Sequence, residues 1–414
     1  MLRHMVRLFA LVCFPSFVLF NPATFALAGN AATGSPARAI TRTPGVRSET
    51  GSTGVQVLYV NQGTTIYTYD VDPQTLTPTK VGTLAVSEMT FFYGLIPGPD
   101  DHFIYVVGTD AQLAFHIWVF ATNTTGAPQA TAVQDMTVSL YGLPVIDSTG
   151  NFLYAVLAVP ASEPFTEVFS IERYSIDQGT GRLSQGQAEV SYTLSFSDTE
   201  YCVLALDSFD TNTMSLYADI NCSGSYGAEA SIYFEYAVNS QTGALAPGVQ
   251  LYLWTNDSGG AQNIQFLGGL MFDFVIPNDY QPNADMVNIY PIKPVTNSQN
   301  ALVHCAETML EACGSATGIA HPSGKYVFMW TAPELTEIDQ VEVQQQKIVD
   351  TGNSIPWMMR QFSPDGSLVY GIAAPSYYDV EIYGFNVETG AVTAGTPIYV
   401  AAGSYPNIYP AQRF

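Results

Sequence analysis

Positively charged residues are scarce in this sequence. Its 414 residues include 13 Lys and Arg but 36 Asp and Glu, which gives a formal net charge of −23 at pH 7. A folded protein of this charge repels nucleic-acid phosphates and anionic lipid headgroups, so we expect no nucleic-acid partner. Charged residues make up only 12% of the chain and hydrophobic residues 47%, which predicts a folded core rather than disorder.

Several common catalytic motifs are also missing. The chain contains no HExxH, no GxSxG and no Walker loop, and its cysteines form no CxxC pair. Metalloprotease, α/β-hydrolase and nucleotide chemistry therefore have no support in the sequence. We expect neither a metal ion nor a cofactor.

Long hydrophobic runs are confined to the N-terminus. Arg3 and Arg7 precede a mainly apolar stretch from Leu8 to Phe20, which is too short to span a bilayer but typical of a secretory signal. A small-residue cleavage sequence ends at Ala28. We predict a signal peptide over residues 1–28, no membrane span after its cleavage, and a secreted or periplasmic protein. A retained N-terminal anchor is the alternative.

Export would place four cysteines in an oxidising compartment, where an even number favours two disulfides. Three pairings of Cys202, Cys222, Cys305 and Cys313 are possible from the sequence alone. We favour Cys202–Cys222 and Cys305–Cys313, because each pair is close in sequence. The first pair would face across a hairpin centred near Asn212.

Seven aromatic strands recur along the chain. Short runs of β-branched and aromatic residues alternate with turns rich in Gly, Pro, Asn and Asp, which predicts an all-β protein. In seven runs a turn precedes a strand with an aromatic residue. These aromatics lie 42 to 63 residues apart, a spacing typical of four-stranded propeller blades, and are Tyr59, Tyr105, Tyr154, Tyr217, Phe272, Phe328 and Tyr370.

These repeats predict a single domain over residues 55–414, preceded by a flexible linker over residues 29–54 that is rich in small and polar residues. We predict a seven-bladed β-propeller of four-stranded antiparallel blades. The first repeat begins at Val55 without a preceding strand, whereas residues 404–414 extend past the last repeat. The N- and C-terminal strands should therefore pair in one blade and close the propeller.

The repeat unit resembles a known family. Residues 362–392 read FSPDGSLVYGIAAPSYYDVEIYGFNVETGAV, with a PDG turn, an aromatic strand and a TG turn, and residues 98–108 and 147–156 are looser copies. This unit is similar to the blades of the lactonase-like seven-bladed propellers, which include 6-phosphogluconolactonase, and of the related YVTN-repeat surface proteins. The resemblance implies a lactone hydrolase with its site in the central channel, where the innermost strands begin.

Two sets of residues are predicted to face that channel. Carboxylates with a cationic partner suit general acid–base catalysis, so we predict catalytic roles for Glu88, Glu200 and Arg360. Five aromatics fall at nearly one position of their repeats and would bind a small neutral or cationic ligand, such as a sugar or lactone: Tyr93, Tyr141, Tyr201, Trp357 and Tyr405. The alternative is that these rings pack between blades and that the acids belong to surface loops.

The innermost strands begin mainly with aromatic and small residues, not with the histidine that the resemblance implies. We therefore favour a ligand-binding or interaction module that acts through the channel mouth. A lactone hydrolase of the 6-phosphogluconolactonase type is the alternative, and a passive surface protein is a third hypothesis. Two further predictions concern turns: His321 caps its own turn, and the run Asp207, Asp210, Asn212 is a long PDG turn rather than a calcium loop.

Overall fold

The structure is a computed structural model, and it describes most of the predicted domain. The described residues are 55–98, 101–161, 166–195, 200–210, 213–224, 229–255, 262–267, 270–275, 286–291, 318–332, 335–342, 347–355, 358–372, 379–400 and 406–413. The predicted signal peptide, the linker and the Cys305–Cys313 pair lie outside these ranges. No helix within them has the length and hydrophobicity needed to cross a membrane.

The described chain folds into antiparallel sheets, which we number I to VII in chain order. Sheet I contains β1 (Val55–Gln62), β2 (Thr65–Asp72), β3 (Thr77–Ala85) and β27 (Asn407–Arg413). Sheet II contains β4 (Phe91–Pro97), β5 (Phe103–Thr109), β6 (Phe115–Ala121) and β7 (Gln134–Thr137). Sheet III contains β8 (Val145–Ile146), β9 (Phe152–Pro160), β10 (Thr166–Ser175) and β11 (Gln187–Ser195).

The remaining sheets follow the same chain order. Sheet IV contains β12 (Glu200–Asp210), β13 (Ser215–Gly224), β14 (Glu229–Ala237) and β15 (Val249–Thr255). Sheet V contains β16 (Gln262–Leu267), β17 (Leu270–Val275) and β18 (Met286–Pro291). Sheet VI contains β19 (Gly318–Ala320), β20 (Tyr326–Ala332), β21 (Leu335–Glu342) and β22 (Lys347–Ile355). Sheet VII contains β23 (Met358–Phe362), β24 (Leu368–Ile372), β25 (Val380–Phe385) and β26 (Val392–Ala394).

The fold is an all-β propeller with four-stranded antiparallel blades, as the repeats predict. The predicted number of seven such blades is wrong, because the described residues form six four-stranded sheets, and sheet V has three strands. Residues 292–317, which follow β18, lie outside the described ranges. An aromatic marks one strand of each repeat, so counting aromatics gives the number of repeats but not the number of strands in each.

The first and last strands pair, as the sequence predicts. Strand β27 runs antiparallel to β1, with Val55 opposite Arg413 and Asn61 opposite Asn407. The Asn407 amide also donates a hydrogen bond of 3.0 Å to the Asn61 side chain. This pairing covers the edge of β1 that would otherwise be open to another strand.

One edge strand of each sheet points toward the neighbouring sheets, and we call these the inner strands: β27, β4, β8, β12, β16, β19 and β23. Contacts join β27 to β4, β8 to β12, β12 to β16, β16 to β19, β19 to β23 and β23 to β27. Hydrophobic clusters fill the space between consecutive sheets, including one shared by sheets III and IV. The inner strands thus surround the centre of the propeller.

All seven repeat aromatics lie on the second strand of their sheets and are fully buried, which confirms the register of the repeat. Three of these aromatics are tyrosines whose hydroxyls bind a glycine turn, which explains why aromatic strands and glycine turns repeat together. Each donates to the backbone carbonyl of the glycine in the turn of the next sheet: Tyr59 to Gly126 at 2.8 Å, Tyr105 to Gly181 at 3.2 Å and Tyr154 to Gly243 at 2.7 Å.

His321 caps its own turn, as predicted. Its Nδ1 accepts a hydrogen bond from the Ser323 amide at 3.1 Å, while Nε2 donates to the Gly366 carbonyl at 3.0 Å. Burial lowers the pKa of His321 to about 4. The ring is therefore neutral at physiological pH and links sheet VI to the turn of sheet VII.

Candidate functional site

A cavity of about 380 Å³ opens where three consecutive inner strands end. We call it the inner-strand pocket. Its volume is within the range of small-molecule sites. The described residues that line it come from β4, the β8 segment and β12: Ile96, Pro97, Pro144, Val145, Ile146, Asp147, Ser148, Asp207, Ser208 and Phe209. It lies at the opposite end of these strands from the predicted site, because the sequence predicts a site where the strands begin.

Asp207 reaches this pocket because of an irregularity in β12. Leu206 pairs with Ala218 and Ser208 pairs with Tyr217, so Asp207 is an extra residue without a partner on β13. Such a bulge interrupts the alternation of side chains and redirects one of them. The Asp207 side chain is exposed to solvent in the pocket.

Asp219 lies behind Asp207 on the neighbouring strand. It pairs with Ala205 in β12, two residues before Asp207. Only 7% of Asp219 is exposed, which is unusual for a carboxyl on a strand between two others. The two acids are close enough for the charge of one to affect the other.

Burial changes the protonation of this carboxyl pair. Burial raises the pKa of Asp219 to about 7. The pKa of Asp207 is also raised, first by desolvation and second by the negative charge of Asp219. The pair therefore keeps a proton close to neutral pH, and its two titrations belong to the pair rather than to either residue.

A disulfide supports the same two strands. Cys202 and Cys222 are opposite each other in β12 and β13 and are bonded, which confirms the predicted pairing. Their Cα atoms are 4.0 Å apart. The bond therefore fixes the register of β12 against β13 near the two carboxyls.

The rest of the pocket wall is mainly apolar, and the lining residues that the structure describes include no Lys, Arg or His. The second acid in the wall, Asp147, is fully buried. Its oxygens accept hydrogen bonds from the Phe152 amide at 3.0 Å and from the Thr149 hydroxyl at 2.5 Å. Asp147 therefore holds its own turn, and Asp207 is the acid left to face a ligand.

The three predicted catalytic residues lie in different parts of the propeller. Glu88 is exposed in the loop between β3 and β4. Glu200 is the first residue of β12. Arg360 is a bulged residue of β23, between Met359 and Gln361.

Arg360 and Asp207 occupy equivalent backbone positions. Each directly precedes the inner-strand residue that pairs with its repeat aromatic, Tyr370 for Arg360 and Tyr217 for Asp207. Two inner strands thus carry a bulge with a charged residue at the same register position.

The five aromatics that are predicted to bind a ligand have different environments. The Tyr93 ring lies 5.0 Å from that of Phe115, and the Tyr141 ring contacts Phe169 edge-on at 5.3 Å. Tyr201 is 38% exposed near the start of β12. Trp357 and Tyr405 lie outside the described residues.

The sequence pattern predicts that Asp207 belongs to a turn and assigns no role to Asp219. Asp210 does lie at that turn, where it pairs with Ser215, while Asn212 is outside the described residues. The signal that could have identified Asp219 is its place two residues after Tyr217, in a strand otherwise rich in apolar residues. A charged residue inside a buried strand often marks a functional site.

The described part of the chain contains no group of three or more His, Cys, Asp or Glu that could hold a metal ion.

Solved structures share this fold at low sequence identity. A provisionally assigned 6-phosphogluconolactonase from Bacteroides uniformis is 15% identical and superposes with a TM-score of 0.55, covering 87% of this chain and 100% of its own. A second, from Bacteroides fragilis, is 15% identical with a TM-score of 0.52 and coverages of 87% and 99%. A protein from Lactobacillus plantarum is 14% identical with a TM-score of 0.51 and coverages of 86% and 99%. Comparison with known protein families and with curated protein sequences finds no match.

Proposed function

We propose that this protein is a lactonase-type β-propeller that binds a small lactone in the inner-strand pocket and hydrolyses it. The observation that carries the proposal is the Asp207 carboxyl, which opens into an apolar cavity with a buried second carboxyl, Asp219, behind it. The fold shared with the provisionally assigned lactonases supports the same chemistry, although fold alone does not determine function.

In the proposed reaction Asp207 is the general base. As a carboxylate it takes a proton from water while the water oxygen bonds to the lactone carbonyl carbon. The tetrahedral intermediate then collapses, the bond between the carbonyl carbon and the ring oxygen breaks, and Asp207 returns the proton to that oxygen. The product is a hydroxy acid, which ionises to the carboxylate and releases a proton to solvent.

Asp219 is a positioning residue in this mechanism. Its charge raises the pKa of Asp207 and so brings the base closer to the pH at which it works. Arg360, Glu88 and Glu200 are not among the described lining residues of this pocket, and their catalytic roles stay predictions.

A binding module without catalysis is the second candidate. Phe91 is 47% exposed at the start of β4, and Tyr201 is 38% exposed near the start of β12. Exposed rings where inner strands begin suit stacking against a neutral sugar or a cation. In this candidate, the surface would form the channel mouth at which the sequence predicts ligand binding.

We also propose that the mature protein is exported after cleavage near residue 28. The Cys202–Cys222 disulfide supports this, because structural disulfides persist mainly in oxidising compartments.

The test is hydrolysis of sugar and aliphatic lactones, followed by acid release at constant pH, with the chain from residue 29 onward. Asp207→Asn should lower kcat by about 100-fold or more, because a general base contributes that much. Glu388→Gln is the matched control, since Glu388 is an exposed acid in a turn of sheet VII. Turnover of no lactone would contradict the hydrolase and favour the binding module.

A further inference from the structure

The described lining of the inner-strand pocket offers no positive charge of the kind that a phosphorylated substrate needs. Its described lining includes no cation, and Asp207 adds a carboxyl. Phosphate groups in proteins are usually held by Arg or Lys, often with two parallel hydrogen bonds. Here a phosphate would meet an acid instead, inside a protein with a net charge of −23.

Three cations of the described parts of sheets I and III lie away from the pocket. Arg173, on β10, binds Glu189 at 2.8 Å and is occupied by that contact. Lys80, on β3, lies over the Tyr67 ring at 4.2 Å. Arg182 lines a separate groove between sheets II and III. Of the three inner strands that form the pocket, β4, β8 and β12, none contains Lys or Arg.

The pocket walls favour carbon chains. Ile96, Val145, Ile146 and Phe209, with two prolines, present aliphatic and aromatic surface around the carboxyl. Burying a methylene group against such a surface improves binding by about fourfold. The volume of about 380 Å³ accommodates a lactone ring with a short alkyl chain.

We infer that the substrates are uncharged lactones with an aliphatic substituent, rather than phosphorylated sugar lactones. This inference rests on the proposed function and specifies its substrate class. It also accounts for product release: hydrolysis converts an uncharged ester into a carboxylate, which Asp207 repels once the base has returned its proton.

The test compares kcat/KM for δ-valerolactone, δ-hexalactone, δ-nonalactone, glucono-δ-lactone and 6-phosphoglucono-δ-lactone. We expect kcat/KM to rise with alkyl length, by about fourfold for each methylene that the pocket buries. The phosphorylated lactone should be at least about tenfold worse than glucono-δ-lactone, because its charge of about −2 faces an acid.

A wall variant tests whether this preference arises in the pocket. Val145→Thr keeps the side-chain shape but adds a hydroxyl, and it should flatten the dependence of kcat/KM on alkyl length. Val249→Thr is the matched control, since Val249 is exposed on the outer strand β15, and it should leave that dependence unchanged.

The outcomes separate the two proposals. Hydrolysis of 6-phosphoglucono-δ-lactone at or above the rate of the alkyl lactones would overturn this inference and leave the proposed function intact. Rates that do not change with alkyl length would overturn it as well. Turnover of no lactone at all would overturn the proposed function, and the inference with it.

Discussion

At the scale of single residues, the carboxyl pair joins two requirements that usually conflict. Asp207 must reach water to meet a substrate, and its environment must still disfavour its charge. The bulge in β12 turns the side chain into the pocket, while desolvation and the charge of Asp219 raise its pKa. Burying the Asp219 carboxylate costs free energy of folding, and this cost should be measurable as a lower free energy of unfolding.

Asp219 should make the fold less stable as pH rises from about 4 to 7. Its pKa is about 7 in the folded protein and 3.8 in an unfolded chain, so only the unfolded chain releases the proton in this window. The fall is at most about 1.4 kcal/mol per pH unit and should level off above pH 7.

The Asp219→Asn variant provides the measurement. Urea denaturation measures the unfolding free energy of the variant and of the unmodified protein. Between pH 4 and 7 the variant should become increasingly more stable than the unmodified protein, and above pH 7 the difference should stay constant. A difference that does not change with pH would show that Asp219 titrates normally.

At the scale of elements, the hydrogen bonds from tyrosine to glycine carbonyls join neighbouring sheets. Tyr154→Phe leaves the buried Gly243 carbonyl without its donor, which should cost about 1–2 kcal/mol. Tyr370→Phe is the matched control. The Tyr370 hydroxyl is buried with no hydrogen-bond partner among the described residues, so its removal should be neutral or stabilising. Equal losses in thermal unfolding experiments would contradict the role assigned to these bonds.

The Gly243 position itself should not tolerate a side chain. Its φ of +70° is in the left-handed region, and a Cβ atom there would lie 2.5 Å from the Phe152 ring. Gly243→Ala should therefore destabilise the protein by at least about 1 kcal/mol. Thermal unfolding checks this, with Gly63→Ala as the control: Gly63 has a φ of +60° but nothing near its Cβ position, so a smaller loss is expected there.

These elements also show what the sequence could predict. Tyr154 and the TG turns repeat because each contact between sheets repeats, so the fold class and the pairing of β1 with β27 follow from the pattern. The position of Asp207 in the pocket cannot be predicted from this pattern. It depends on a bulge in the pairing of β12 with β13, and a bulge has no regular pattern in the sequence of one strand. The number of strands described in sheet V also differs from the prediction. The aromatic Phe272 marks only the second strand of this sheet and does not predict a fourth.

At the scale of the whole molecule, the net charge and the positions of the cations both favour an uncharged ligand. The protein carries a net charge of −23, and the cations nearest the pocket in sequence pair with other groups or line another groove. The disulfide between Cys202 and Cys222 secures the strands that carry both acids and matches the proposed export. An uncharged substrate that becomes an anion is consistent with all of these features.

The central claim is that Asp207 and Asp219 act together on a lactone. The most direct measurement is the pH dependence of kcat/KM for one neutral lactone, in the unmodified protein and in Asp219→Asn. We predict that activity rises with pH above the usual range for a carboxyl, and that Asp219→Asn moves this rise to lower pH because Asp207 loses a neighbouring charge. The same profile in both proteins, or no turnover in either, would contradict the account.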